Sequence, residues 1–183
     1  MASLQPGANV SITRENPLLN DLVVGFGWNT IQGSGPQLQI VPAVVLVGEN
    51  GHALSDEHFL FFNQLSTTDG AVQYVEGNED NDQIEITLSA VPENVFKMVF
   101  LLYVDPEVRN PGNFGAVRHA HMRLMDHTLS ELVRFELPQS SSDINAVLMG
   151  EIYRRNTEWK FRAVGQGYAG GIVQVANDFK VSL

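Results

Sequence analysis

Four groups of residues in this chain have types and spacings that could do chemistry. The densest is Glu76-Gly77-Asn78-Glu79-Asp80-Asn81-Asp82, where four carboxylates and two amides fall within seven residues. Hard oxygen donors at this density suit Ca²⁺, which takes about six to eight oxygens and accepts irregular geometry. The carboxylates also repel one another, so a cation or screening water must relieve them. The run is not an EF-hand, since no glycine follows Asp82 and no glutamate stands at the closing position. Asp69, in the turn Thr68-Asp69-Gly70, is near enough in sequence to join it. The plainer reading is a solvated loop between two strands.

The second group is His119-Ala120-His121, with Asp126-His127 beyond it. On a strand, residues i and i+2 share a face, so the two histidines could share a metal. A third ligand is lacking. His127 has the same parity, but six residues of extended chain put it about 20 Å away. Arg118 and Arg123 add positive charge, so an exposed polar face without zinc is expected. The third group, Gly165-Gln166-Gly167-Tyr168-Ala169-Gly170, is literally G-x-G-x-x-G. A dinucleotide site would need a parallel βαβ unit and an acid about 20 residues on. The residues after Gly170 supply neither, and a tight strand-to-helix connection is expected instead. The fourth, Gly25-Phe26-Gly27-Trp28-Asn29, places glycines beside an aromatic, which marks a bulge or a close backbone approach. An exposed Trp28 could bind a sugar, whereas a core Trp28 would only pack. No nucleophile–base pair stands out, and neither G-x-S-x-G nor H-E-x-x-H occurs.

The elements that must hold these groups read as strands. Trp159, Phe161 and Ala163 alternate with Lys160 and Arg162, and Val133, Phe135 and Leu137 alternate with Arg134 and Glu136. Ile84, Ile86 and Leu88, and Ala120, Met122 and Leu124, do the same. Period two means one buried and one wet face. The unbroken apolar runs Ala43–Val47 and Met98–Val104 fit central strands covered on both sides. Turn signals such as Glu49-Asn50-Gly51 and Asn110-Pro111-Gly112 separate the runs. About ten short strands result, near residues 9–12, 21–28, 37–47, 59–62, 71–76, 83–88, 96–104, 119–125, 131–137 and the pair 146–154 with 158–164. That pattern predicts an all-β fold with minor helix, a sandwich of two mainly antiparallel sheets. Pro92–Val95 and Phe114–Val117 read as single helical turns, and Gly171–Phe179 as a short terminal helix.

The chain has 183 residues, which predicts a single domain over 1–183. It has no cysteine, which excludes disulfides, thiolate catalysis and Cys-ligated metals. The net charge of −10 argues against nucleic acid and against anionic membrane surfaces. No signal-like or membrane-spanning run is seen, so a cytoplasmic protein without membrane insertion is expected. The charge is uneven: residues 1–96 hold twelve acids and one base, and residues 97–183 nine acids and ten bases.

Several motifs in order carry a resemblance. They are Gly25-Phe-Gly-Trp28, Ser55-Asp-Glu57 followed by Phe61-Phe62-Asn63-Gln64, Thr68-Asp-Gly70, the acidic loop ending Asp82-Gln83-Ile84, and Asn113-Phe114-Gly115. The most specific block is Gly150-Glu-Ile-Tyr-Arg-Arg155 followed by Glu158-Trp-Lys-Phe-Arg-Ala-Val-Gly-Gln-Gly-Tyr168. Together they resemble the bacterial tellurium-resistance TerD-like stress proteins over nearly the whole chain. The resemblance implies a calcium-binding, cytoplasmic β-sandwich tied to tellurite and general stress resistance, with no established enzymatic activity and with other stress-response proteins as partners.

The departures from that pattern fall on presumed calcium ligands. Asn29 replaces the aspartate after Gly-Trp, and Gln37, Gln39 and Val41 stand where aspartates alternate. The acidic loop is short and ends Asp80-Asn81-Asp82. The expectation is therefore weakened or lost calcium binding, through Asp80 and Asp82 with Glu79, Asn78, Asn81 and Asp69. The competing expectation is a β-sandwich ligand-binding module that takes a carbohydrate on an exposed aromatic.

Overall fold

Alternating side chains become two packed faces. The computed structural model describes residues 3–31, 38–77, 79–108, 112–138 and 143–183. Its strands are β1 (Ser3–Leu4), β2 (Asn9–Ser11), β3 (Asp21–Thr30), β4 (Ile40–Val47), β5 (Phe59–Leu60), β6 (Val72–Glu76), β7 (Asp82–Thr87), β8 (Lys97–Val104), β9 (Val117–Asp126), β10 (Glu131–Glu136), β11 (Ala146–Arg155) and β12 (Glu158–Tyr168). Two helices, α1 (Ile12–Glu15) and α2 (Gly171–Asp178), and three single 3₁₀ turns complete the elements.

The first sheet has the order β1-β10-β9-β3-β7-β6 and the second β2-β12-β11-β8-β4-β5. The short β1 runs parallel to β10, and the other pairings are antiparallel. This is the expected β-sandwich. Ile84, Ile86, Phe135, Trp159 and Phe161 all face the shared core, as their alternation predicts. Each such burial stabilises by about 1.5–3 kcal/mol. Phe26 and Phe100 meet across the two sheets with ring centroids 6.2 Å apart.

The apolar runs of β4 and β8 are buried on both faces. Their outward residues, Val41, Val45, Val99 and Leu101 among them, pack against Ile172, Val175 and Phe179 of α2 and its C-terminal cap, and Val181 beyond it. Between β11 and β12 a bulge falls at Leu148/Gly150. The extra residue is on β12, where Gly165 takes a φ of 74°, and a Cβ on Gly150 opposite would lie 2.6 Å from the Phe161 ring. The Arg154 guanidinium lies 4.1 Å from the Trp159 ring centroid and donates to the carbonyls of Val91, Pro92 and Val95.

Three local features differ from the sequence reading. β1 is two residues long and has no periodicity to detect. α1 exists because Ser11 Oγ accepts from Arg14 N at 3.3 Å, a cap within a stretch that reads as strand. Pro92–Val95 forms a turn closed by Val95 N to Pro92 O at 3.0 Å, not a helix. Among the described residues no helix is long and apolar enough to cross a membrane.

Candidate functional site

Leu22, Val24 and Phe26 of β3 face the core. Strand parity therefore turns Gly25 and Gly27 to the outer face of the first sheet. Gly25 is flanked in register by Gln83 on β7 and Arg123 on β9. The missing side chain leaves a slot between them, and Asp80 fills it. A Cβ on Gly25 would lie 2.2 Å from Asp80 Oδ2. Gly27 stands opposite His121, and a Cβ there would lie 2.3 Å from His121 Cε1. The alternating glycines thus mark a close approach of side chains, not of a ligand.

The loop that carries Asp80 is pinned to β3 by one residue. Asn81 N donates to Phe26 O at 2.9 Å, and Asn81 Oδ1 accepts from Trp28 N at 3.0 Å. This brings the Asp80 side chain, 4% exposed, onto the sheet. Arg123 Nε donates to its two oxygens at 2.9 and 3.1 Å. Gln83 Nε2 approaches Oδ2 at 3.5 Å, and His121 Nε2 approaches Oδ1 at 3.5 Å. Arg123 also reaches Glu79 at 3.3 Å and Glu131 at 3.5 Å, and Arg134 pairs with Glu131 at 3.0 Å. Burial acts to lower the Arg123 pKa, but the bonds to Asp80, Glu79 and Glu131 outweigh it and hold the guanidinium more firmly charged. The Arg134 hydrogen bond is the main reason Glu131 lies below the usual carboxylate range.

The other expected ligands are dispersed. Asp82 shares the parity of Ile84 and Ile86, so its carboxylate turns to the opposite face from Asp80, toward Tyr74. Burial raises the Asp82 pKa; the Tyr74 hydroxyl acts against that, and Glu76 adds to it. Glu79 is largely exposed, and Asn81 Oδ1 is committed to Trp28 N. Asp69 lies at the far end of β6 and closes its own turn, accepting from Thr67 Oγ1 at 2.7 Å and Ala71 N at 2.9 Å. Asn78 and Gln37 lie outside the described residues. Among the described residues no three His, Asp or Glu side chains are placed to hold a metal. The structure therefore brings Asp80, Glu79 and Asn81 to one loop but spends Asp80 and Asn81 on protein contacts. Among the described residues this donor set does not fit a tight calcium cage.

The histidines do not share a ligand position. β9 bulges between its Gly27 and Asn29 partners, and His119 takes a φ of 54°. Its Nδ1 lies 3.3 Å from Glu136 Oε1, while His121 turns to Asp80. The two tryptophans do not form an open platform: Trp28 is half-buried against the core and Trp159 is buried in it. Gly171, with a φ of 66°, opens α2 three residues after β12 ends and makes the strand-to-helix connection expected from the glycine-rich run, while Gly165, with a φ of 74°, lies within β12 at its bulge.

Sequence reasoning missed Arg123 as the partner of the acidic loop. The available signal was Arg123 set among Met122, Leu124 and Met125 of β9, across from alternating glycines.

Residues 1–179 match the TerD domain. The chain is 36% identical over 187 residues to the tellurium resistance protein TerD of Serratia marcescens, covering 98% of this chain and 97% of that one. It is 37% identical over 186 residues to general stress protein 16U of Bacillus subtilis (strain 168), covering 97% and 96%. A solved homologue of the telluride resistance protein TerD from Streptomyces coelicolor A3(2) superposes with a TM-score of 0.68 at 15% identity, covering 86% of this chain and 95% of that one. That last likeness shows the fold alone. The chain belongs to the TerD domain family.

Proposed function

We propose that this TerD-family chain is a non-catalytic, cytoplasmic stress-response protein of the tellurium-resistance kind. In this reading it works through other stress-response proteins, and its acidic loop keeps at most a weak calcium affinity. The stress and resistance role rests on family membership and on the stress and resistance proteins among its relatives. The non-catalytic reading is supported by the chemistry of the loop, whose charged groups are spent on one another. The lack of cysteine argues against direct thiol reduction of tellurite by this chain.

The observation that carries the calcium reading is the contact between Arg123 Nε and both oxygens of Asp80. Calcium at Asp80 would have to displace a guanidinium from a nearly dry carboxylate. Charge-assisted contacts of this kind are among the stronger hydrogen bonds in proteins. The oxygens left over, on Glu79 and on Asp82 across the sheet, are too few for a tight site. Affinity should fall at the weak end of protein calcium sites, on the order of 10⁻⁴ to 10⁻³ M or weaker. Asp82 is where a cation would help most, because burial and Glu76 already disfavour its charge.

Calorimetric titration of chelator-treated protein tests this. The expected result is no heat at micromolar calcium and, at most, a millimolar isotherm lost in Asp80→Asn/Asp82→Asn. Stoichiometric micromolar binding would overturn it.

A further inference from the structure

The outer face of the second sheet has two halves. α2 covers the apolar half over β4 and β8. The other half carries a charged cluster built from the most specific sequence motifs. Glu151 on β11 has a side chain only 8% exposed, and it is held from two sides. Arg162 on β12 donates to Glu151 Oε1 through Nε at 2.8 Å and through Nη2. Lys97 on β8 donates to Oε2 at 3.3 Å. Two cations thus share one carboxylate.

Between this cluster and α2 lies a shallow, solvent-open cavity of about 400 Å³. Val99 and Leu148 give it apolar surface, Tyr168 and Phe179 line it beside α2, and Gln166 adds an amide. The Tyr168 hydroxyl accepts from Gln166 Nε2 at 3.4 Å, and burial, followed by the charge of Asp178, raises its pKa.

We propose that this cavity binds a small organic anion, one carboxylate or phosphoryl group carried on an apolar body about the size of an aromatic ring. The donors suit that group. An ammonium has three N–H bonds and a guanidinium five, and Glu151 uses one and two of them. The remaining donors belong to cations in excess of the charge of Glu151. Asp178 beside α2 and Glu158 on β12 supply two further negative charges, and Lys160, two residues from Arg162 on the same face of β12, and Arg14, paired with Glu158 at 2.9 Å, offset them. The cluster is therefore locally positive in a chain of net charge −10. The apolar surface beside it gives the rest of the ligand somewhere to be buried, and the volume lies within the usual range for ligand pockets, about 300–1,000 Å³. This site is separate from the acidic loop and does not depend on the calcium reading.

The test is a ¹H–¹⁵N chemical-shift titration of the full chain with four probes: phenyl phosphate, benzoate, inorganic phosphate and phenol. Saturable shifts confined to Lys97, Leu148, Arg162, Gln166 and Tyr168 are expected for phenyl phosphate, for benzoate, or for both. The stronger of the two identifies the anionic group. Inorganic phosphate and phenol should bind at least tenfold more weakly. Arg162→Gln should weaken binding at least tenfold, and Glu151→Gln should strengthen it by freeing both cations. If Glu151→Gln does not fold, Lys97→Gln takes its place, with a loss of threefold or more expected. Equal binding of inorganic phosphate, shifts scattered over the surface, no saturable shift, or weakening by both Arg162→Gln and Glu151→Gln would each overturn the proposal.

Discussion

Replacing Arg123 by glutamine leaves the Asp80 carboxylate, 4% exposed, with His121 Nε2 and Gln83 Nε2, each at 3.5 Å, as its remaining side-chain neighbours among the described residues. Breaking a buried ion pair from one side costs about 3–5 kcal/mol when the orphaned charge cannot escape. Here it can partly escape, because the loop can lift off β3. Lifting it sacrifices the two Asn81 hydrogen bonds, to Phe26 O and from Trp28 N, at about 1 kcal/mol each. The cheaper route sets the cost, so Arg123→Gln should destabilise by about 2–3 kcal/mol. For 183 residues at roughly 2.1 cal/mol/K per residue, the unfolding entropy near the midpoint is about 0.4 kcal/mol/K. The melting temperature should therefore drop by about 5–8 °C. Asp80→Asn keeps an acceptor and leaves Arg123 with Glu79 and Glu131, so it should cost about 1 kcal/mol. The double variant should lose at least about 1 kcal/mol less than the sum of the singles. Urea and thermal unfolding of the four proteins measure this cycle. A cost below about 0.5 kcal/mol for Arg123→Gln, or strict additivity, would refute the picture of Asp80 as a buried, arginine-held charge.

Gly25→Ala should destabilise by about 2–3 kcal/mol, since its Cβ would meet a carboxylate that Arg123 holds in place. Gly27→Ala should cost less than half of that, because the His121 ring it meets is partly exposed and can swing away; unfolding midpoints compare the two. Arg154→Lys should cost about 1–2 kcal/mol in urea, since one ammonium cannot serve the carbonyls of Val91, Pro92 and Val95 while stacking on Trp159. Asp82→Asn should be more stable than the parent at pH 7. The folded-state pKa of Asp82 is raised, so its ionised form carries a cost above that pKa, and the cost is relieved as pH falls through it. The gap between the two proteins should accordingly close at about pH 4 and below, and unfolding curves at both pH values check it.

Repeating side-chain patterns were legible in the amino-acid order. Alternation in 84–88, 133–137 and 159–163 specified strands and their inward faces, because a pleated strand turns successive residues to opposite sides. The apolar runs of β4 and β8 marked the strands covered on both faces. Family motifs spread along the chain identified the TerD fold, and the glycine-rich run before α2 announced a connection. Residues alone also located the acidic loop and its excess of negative charge.

Tertiary structure decided what that loop does. Asp80 and Asp82 are two positions apart, and in sequence they look like joint ligands. Asp80 belongs to a loop folded back over Gly25, while Asp82 opens β7 with its carboxylate toward Tyr74. Arg123 lies 43 residues from Asp80 and reaches it only because β9 and β7 flank the same strand. His119 and His121 part company because a bulge in β9 reverses φ at His119. In the same way Lys97, Glu151 and Arg162, spread over three strands, become one cluster only through the register of β8, β11 and β12. Parity along one strand is local and can be read from the chain. Which strand lies beside it, and therefore which charge meets which, is set by long-range pairing that no local pattern encodes.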